Sequence, residues 1–389
     1  MKKVLFMLSS MNIGGVEKSL LSLLSEIQKN EYDITILLLE KKGGFLKYLP
    51  DWVEIEEASW YKKVKPIIMQ PPQKTIKNYL KDKRYGKVLT FGFSYFLSKY
   101  FNNRYHYYKN VAKDIPFSNS TYDIAISYHG PTDIIDFYIA NKVKAQKKIS
   151  WVHFDISKHQ INKNLYEKLY KRFNKIHIVS KEAKKHLVEQ IPTVKNKAEV
   201  FMNIIPTNLI MELSKEKIEF DQKYNGIKIV TVGRLSKEKG QDLAIKALFK
   251  LRKDGYDVRW YCIGEGNNRK GLEFHIKKYN LENSFFLLGS TPNPYPYISN
   301  ADIYVQTSRH EGYCLTLAEA KCLRKPIITT NFVGANEQLI NGHNGLIVEC
   351  NAEELYKKLK YLIDNPLQKN KLVENLNNLD AEEVKKVSI

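Results

Sequence analysis

Several turns in the sequence hold residue types that could do chemistry. Apolar residues 4–8 run into Ser9-Ser10-Met11-Asn12-Ile13-Gly14-Gly15, and an amphipathic stretch begins at Val16. A glycine pair at a strand-to-helix turn lets backbone N–H groups approach an anion at the positive end of the helix. The same pair also serves a tight turn that binds nothing, and the motif alone does not separate the two. A second turn, from Thr231 through Gly233 and Arg234 to Lys239 and Gly240, puts Arg234 just past an apolar run and Lys239 at the foot of the next helix. Two cations at the carboxyl end of a strand suit a diphosphate whose charge grows as a bond to it breaks. The alternative is a pair of solvated surface charges.

Glu311 and Glu319 stand eight positions apart in a further segment, 308–320. That spacing is common by chance among so many glutamates, so context has to carry it. Glu311 lies in a Gly-containing loop after the apolar run 303–305, whereas Glu319 lies inside an apolar helical stretch, where an unpartnered carboxylate is costly. A carboxylate held there could accept hydrogen bonds from a ribose. His129 follows the run 124–128 and His153 follows 149–152, both at strand ends. Each serves equally as a site residue or as a structural histidine bonded to a carbonyl. Asp155 and Lys158, just beyond His153, are weaker candidates for contact with a second substrate.

These residues need a frame that brings strand ends together. Runs at 4–8, 34–39, 124–128, 148–152 and 176–179 read as strands, and 16–28 and 181–190 as amphipathic helices. After a polar stretch without strand signals at 206–221 the rhythm restarts, with strands at 227–232, 259–263, 285–288, 303–305, 327–329 and 346–348 and helices at 242–250 and 315–321. Alternating strands and helices predict an α/β protein with parallel sheets. We read two Rossmann-like domains, 1–205 and 206–389, facing across a cleft, since open α/β sheets bind ligands beyond the carboxyl ends of their strands.

The chain has 389 residues, 43% of them hydrophobic and 27% charged, which suits a globular protein and excludes a disordered or collagenous one. Cys262, Cys314, Cys322 and Cys350 form no C-x-x-C pair and sit among apolar neighbours, as reduced core thiols would. No signal peptide precedes the first strand and no apolar window is long enough to span a bilayer, so the expected location is the cytoplasm. The formal charge is +20, and it is unevenly placed: residues 1–205 net +16 and residues 206–389 net +4. Residues 60–113 hold 13 basic side chains and one acidic, interleaved with tyrosine and phenylalanine. Such a mixture suits nucleic acid, anionic lipid or a phosphorylated acceptor alike.

Taken in order, Gly14-Gly15, Gly233-Arg234 with Lys239-Gly240, Gly264-Glu265-Gly266, Asn293-Pro294-Tyr295-Pro296-Tyr297, Glu311 with Glu319, and Gly342-His343-Asn344-Gly345 resemble the large family four of retaining glycosyltransferases, which have the GT-B fold. The similarity runs over nearly the whole chain and is strongest from 227 to 349. The resemblance implies a hexosyltransferase of the bacterial surface-polysaccharide type. Its C-terminal domain would hold a nucleoside diphosphate sugar, with the UDP form expected, and its N-terminal domain an acceptor. It implies retention of anomeric configuration, with no metal and no cofactor besides the donor. Arg234 and Lys239 then match the diphosphate ligands, Glu319 the ribose ligand, Glu311 the carboxylate beside the donor sugar, and Gly15 and Gly233 backbone contacts to the donor. His129 falls near the donor sugar, and His153 and Asp155 on the acceptor side.

The expected function is therefore transfer of a sugar to a cell-surface glycan or lipid-linked saccharide, by a protein peripheral to the inner face of the membrane and touching its anionic lipids. A protein or teichoic acid acceptor, or a non-catalytic sugar-nucleotide-binding protein, are the alternatives. A nucleic-acid-binding protein would explain the charge, but it has no use for cations and carboxylates at strand ends in a nearly neutral C-terminal half, so no nucleic acid partner is expected.

Overall fold

The computed structural model describes residues 1–157 and 161–377. Its contacts divide it into two units, one of Met1–Asn12 with Ile27–Met202, the other of Ile13–Glu26 with the chain from Asn203 onward.

In the first unit, β1 (Lys2–Leu8), β2 (Tyr32–Leu38), β3 (Glu54–Glu57), β4 (Thr121–Gly130), β5 (Lys144–Val152), β6 (Lys175–Ile178) and β7 (Ala198–Val200) form one sheet in the order β3-β2-β1-β4-β5-β6-β7. Every pairing is parallel, with Val4 opposite both Ile34 and Ile124. The central strands are buried on both faces, which is why they read as unbroken apolar runs rather than alternating ones. Helix α1 (Gly15–Glu26) follows β1 in the chain but counts with the second unit. Between β3 and β4 come four consecutive helices, α2 (Tyr61–Met69), α3 (Pro72–Lys81), α4 (Tyr85–Tyr100) and α5 (Arg104–Val111). The remaining helices of this unit are α6 (Asp133–Lys142), α7 (Lys163–Tyr170) and α8 (Lys181–Gln190). Ser180 caps α8 by accepting from the Ala183 N–H, and Asn162 caps α7 by accepting from that of Leu165. Lys158 lies outside the described residues.

The second unit continues with α9 (Thr207–Leu213), so the polar stretch at 206–221 holds a helix. Its sheet joins β8 (Ile227–Val232), β9 (Val258–Ile263), β10 (Phe285–Gly289), β11 (Ile303–Gln306), β12 (Ile327–Thr330) and β13 (Leu346–Val348) in the order β10-β9-β8-β11-β12-β13, again all parallel. Between and after the strands lie α10 (Gln241–Lys253), α11 (Arg269–Lys278), α12 (Tyr295–Ser299), α13 (Leu315–Cys322), α14 (Ala335–Gln338), α15 (Ala352–Asp364) and α16 (Pro366–Asn377). Leu243, Leu248 and Leu251 of α10 and Leu355, Leu359 and Leu362 of α15 pack on one face of this sheet with Trp260 and Phe285. Ile298, Leu317 and Phe332 fill the other face with Val230 and Tyr304. Both units are Rossmann-like. In each, the strand order reverses beside the first strand, between β1 and β4 and between β8 and β11, and that reversal opens a crevice at the carboxyl ends of the two strands.

Candidate functional site

In the second unit the crevice is built by two loops, one after β8 and one after β11. The β8 loop carries Gly233 and Arg234 and passes through a single tight turn, Lys237–Lys239, to Gly240 and α10. Gly240 has φ +68°, and a Cβ there would lie 2.0 Å from the Thr307 carbonyl oxygen. Only glycine satisfies both the left-handed backbone and that approach. The two loops are stitched together at this point: the Thr307 hydroxyl donates to the Lys239 carbonyl at 2.8 Å, and Arg309 donates to both carboxylate oxygens of Asp242, at 2.8 and 2.7 Å, and to the Lys237 carbonyl. Burial would raise Asp242, but the hydrogen bond and charge of Arg309 bring its carboxyl below the ordinary range.

This stitching sets Lys239 against Glu311. Their Nζ and Oε1 are 2.6 Å apart, with side chains 20% and 13% exposed. A relay of neutral groups holds the carboxylate: Tyr304 donates to Gln306 at 2.6 Å, Gln306 to the Ser308 hydroxyl at 2.7 Å, and Ser308 to Glu311 Oε1 at 2.8 Å. Burial alone would lower Lys239, yet the adjacent Glu311 outweighs it and holds the ammonium above its ordinary range. Lys239 is charged at neutral pH. Arg234 is exposed at the mouth of the same loop, and its side chain makes no ion pair with a carboxylate among the described residues.

Glu319 comes from α13 and is 3% exposed. Its Oε1 meets Lys18 Nζ at 2.8 Å and accepts from the Tyr295 hydroxyl at 3.3 Å, while Lys18 also lies 4.5 Å from the Tyr295 ring centre. The other oxygen, Oε2, is buried with no hydrogen-bond partner. An orphan carboxylate oxygen is costly unless something else supplies its donors. Lys18 stands on the first turn of α1, three residues after Gly15. Gly15 has neither a positive φ nor any atom within 4 Å of where a Cβ would sit, so packing inside the chain does not account for glycine there. Gly14 differs, because a Cβ would run into the Glu17 carboxylate. Glu17 is itself buried, and that burial pushes its carboxyl up to about 7 although the Arg234 charge pulls the other way.

In the first unit, His129 is the penultimate residue of β4 rather than a residue of the following turn, because the strand extends to Gly130. His153 follows β5 directly, and the register of Gly130 opposite Val152 makes the two histidines neighbours. The His153 ring lies parallel to Trp151 with 6.0 Å between centres and 4.7 Å from Tyr128, and its Nε2 has no hydrogen-bond partner. Burial, with His129 nearby, holds it down to about 3, so it is neutral at physiological pH. Asp155 is fully buried. It accepts from the Ser157 N–H at 2.9 Å and hydroxyl at 2.6 Å, and its Oδ1 lies 2.9 Å from His186 Nδ1 of α8. Those bonds outweigh burial and keep it ionised. Its visible work is to tie the loop after β5 to α8.

The second unit thus brings together Gly15, Gly233, Arg234, Lys239, Glu311 and Glu319, and the first unit brings together His129 and His153. The sequence did not single out Lys18, Ser308, Gln306 or Arg309. For Lys18 a signal was present, since helix spacing puts it one turn beyond Gly15. Two of the quoted motifs are turns in the structure. A Cβ on Gly264 would lie 2.1 Å from the Gly233 carbonyl oxygen, so Gly264 lets the β9 loop press against the β8 loop. At 342–345 the buried Asn344 side chain accepts from the Ile340 N–H at 2.7 Å. Among the described residues no three His, Cys, Asp or Glu side chains gather as a metal site.

Residues 213–378 match the family model for glycosyl transferases, group 1. The chain is 30% identical, over 53% of its length and 55% of the relative's, to the N-acetylgalactosamine-N,N'-diacetylbacillosaminyl-diphospho-undecaprenol 4-alpha-N-acetylgalactosaminyltransferase of Campylobacter jejuni. It is 28% identical, over 54% of its length and 55% of the relative's, to an uncharacterized glycosyltransferase of Methanocaldococcus jannaschii. The chain spans about half the length of these curated relatives. Among solved structures it is similar to Anabaena HepE in complex with UDP-glucose, at TM-score 0.71 and 18% identity, covering 97% of this chain and 94% of that one. It is also similar to a point mutant of Staphylococcus aureus TarM in complex with fondaparinux, alpha-GlcNAc-glycerol and UDP, at TM-score 0.69 and 15% identity, covering 99% and 97%. These likenesses show the fold, the GT-B pairing of two parallel-sheet Rossmann-like units.

Proposed function

We propose that this protein is a glycosyltransferase of group 1 that moves a sugar from a UDP-sugar to a lipid-linked saccharide or other cell-surface glycan, in bacterial polysaccharide biosynthesis. The observation that carries this reading is the placement of Arg234, Lys239 and Glu311 on the β8 and β11 loops at the strand-order reversal. The second unit would hold the donor and the first the acceptor.

In this reading Arg234 and Lys239 bind the diphosphate, helped by the Gly233 loop and by the Gly15 amide at the start of α1. Glu319 accepts from the ribose hydroxyls through Oε2, while Lys18 holds Oε1 in place. Glu311, fixed by Ser308 and Lys239, faces the donor sugar. In a retaining front-face displacement the acceptor oxygen bonds to the anomeric carbon as that carbon's bond to the diphosphate oxygen breaks, and the acceptor proton passes to the departing diphosphate. The charge that develops on the leaving group is met by Arg234 and Lys239, so the step calls for no metal. His129 and the neutral His153 would line the path of the sugar and acceptor, with Asp155 holding that loop.

For the acceptor, support comes from the printed name of the Campylobacter relative, whose acceptor saccharide is carried on diphospho-undecaprenol. An acceptor of that kind stays at a membrane. We place this protein on the cytoplasmic face as a peripheral protein, in keeping with a front half that nets +16. Among the described residues no helix is long and apolar enough to cross a membrane. A screen of nucleotide sugars for thermal stabilisation and slow hydrolysis tests the reading. Stabilisation by UDP and turnover of one UDP-sugar are expected, and no response to any nucleotide sugar would overturn it.

A further inference from the structure

The four helices between β3 and β4 hold most of the basic and aromatic residues that no motif explains. In the structure the rings of α4 divide into two rows. The inner row packs: Phe91 is buried against Tyr79 of α3, at 5.9 Å between ring centres, and against Tyr107 of α5 at 5.9 Å, with Tyr95 stacked beside it. The outer row is Tyr85, Leu89, Phe93, Phe96 and Tyr100, spaced by four, four, three and four residues, which draws one stripe along the helix. Every member is exposed, Leu89 at 75%, Phe93 at 59% and Tyr100 at 66%. The ring partners of Phe96 among the described residues are Tyr100 and Phe101, and Phe93 meets His106 of α5 edge-on at 6.4 Å. A contiguous uncharged stripe of this kind is not what a solvated helix face carries, and it marks a surface that something covers.

What covers it is indicated by its border. Lys74, Lys77 and Lys81 of α3 and Lys83 and Arg84 of the α3–α4 corner are all exposed, and none pairs with a carboxylate among the described residues. In residues 60–113 the one acidic side chain is Asp82. Basic residues flanking an aromatic and aliphatic stripe complement anionic headgroups above an acyl layer. A helix of 16 residues is too short to span and long enough to lie in the plane. We propose that the outer stripe of α4, with the cationic α3–α4 corner beside it, is the surface by which this protein seats on an anionic lipid bilayer. This rests on the membrane-surface reading given above and says which face does the work.

Co-sedimentation with vesicles of phosphatidylcholine alone, or mixed with phosphatidylglycerol, tests it. The intact chain is expected to bind the mixed vesicles, less so as salt shortens the Debye length from about 8 Å toward about 3 Å. Leu89→Ser with Phe93→Ser should weaken that binding by ~10-fold or more, on the scale of withdrawing two apolar side chains from the interface. Lys81→Glu with Lys83→Glu should weaken it independently and flatten the salt dependence. UDP-sugar hydrolysis should be unchanged in both, which reports that they fold. No binding by the intact chain would overturn the membrane reading and this surface with it. Undiminished binding by both variants would overturn the surface alone. If light scattering shows a dimer that the apolar variant converts to monomer, with no vesicle binding by either, the stripe is a contact between copies and the proposal fails.

Discussion

Lys239 and Glu319 are each held by a partner that can be removed, whereas Glu17 is shaped by its burial. Lys239 is positioned by Glu311 and by the loop around it, so Lys239→Ala should leave the fold intact and lower turnover by about 10²-fold or more, the scale of losing one electrostatic donor to a developing charge. Arg234→Ala should do the same. Near-normal turnover in a folded Lys239→Ala protein would remove the donor assignment. For Glu319 the test lies in its partner: Lys18→Met leaves a buried carboxylate without the ion pair that orients it. UDP affinity should fall by about tenfold, the scale of losing one hydrogen bond to a charged group. Titration calorimetry with UDP reads this, and an unchanged affinity would mean that Lys18 does not position Glu319 for the nucleotide. Glu17 sets a pH dependence of stability. Its folded carboxyl is raised from 4.5 to about 7, so the folded chain keeps a proton that the unfolded chain releases between those values. The stabilisation is present below about pH 4.5 and is lost as pH rises through about 7. Glu17→Gln removes the titration, and its advantage over the parent should grow to about 3 kcal/mol by pH 8 and vanish near pH 4. Parallel melting curves that keep a constant gap between the two proteins would contradict this.

At the scale of elements, the site depends on two loops that only a few residues allow to meet. Gly240→Ala puts a Cβ into the Thr307 carbonyl and strains a left-handed residue, so it should destabilise the second unit by roughly 2–4 kcal/mol and weaken UDP binding together. A variant with an unchanged melting temperature would mean that the loops can part without cost. Much of this was legible in sequence. The runs at 227–232 and 346–348 read as strands from β-branched residues buried on both faces, and they are β8 and β13 residue for residue. Strand β3 was not legible: its residues Glu54, Ile55, Glu56 and Glu57 form an exposed edge that pairs only with β2, so it has no apolar signature. The helices α2 to α5 are legible in sequence as composition alone because α4 is apolar on two faces, and a period cannot separate the face that packs from the face that does not. Lys18 is not legible for a different reason. Among 62 basic residues a single lysine looks like a solvated charge, and only its meeting with Glu319 distinguishes it.

At the scale of the molecule, the second unit is not one stretch of chain. Helix α1 is made from residues 15–26, and by its contacts it belongs with the chain from Asn203 onward. The Ser19 hydroxyl donates to Asn203 at 2.6 Å, and Lys18 meets Glu319, so the far N-terminal sequence supplies part of the proposed nucleotide site. This follows from the fold: the helix after the first strand of a Rossmann-like sheet starts where an anion would bind, and its first turn is free to serve a neighbour's ligand. A cut at Asn203 therefore divides the chain between domains but also divides the site. A fragment beginning at Asn203 keeps β8 to β13, Arg234, Lys239, Glu311 and Glu319, and it loses Gly15 and Lys18. It should bind UDP at least about tenfold more weakly than the intact chain, the loss predicted for Lys18→Met with the α1 amides lost as well. Circular dichroism would first establish that the fragment folds, and calorimetry with UDP then compares it with the intact chain and with the Lys18→Met chain. A folded fragment with full affinity would show that α1 contributes nothing to the nucleotide. A fragment weaker than the Lys18→Met chain would put the remainder on the Gly15 turn.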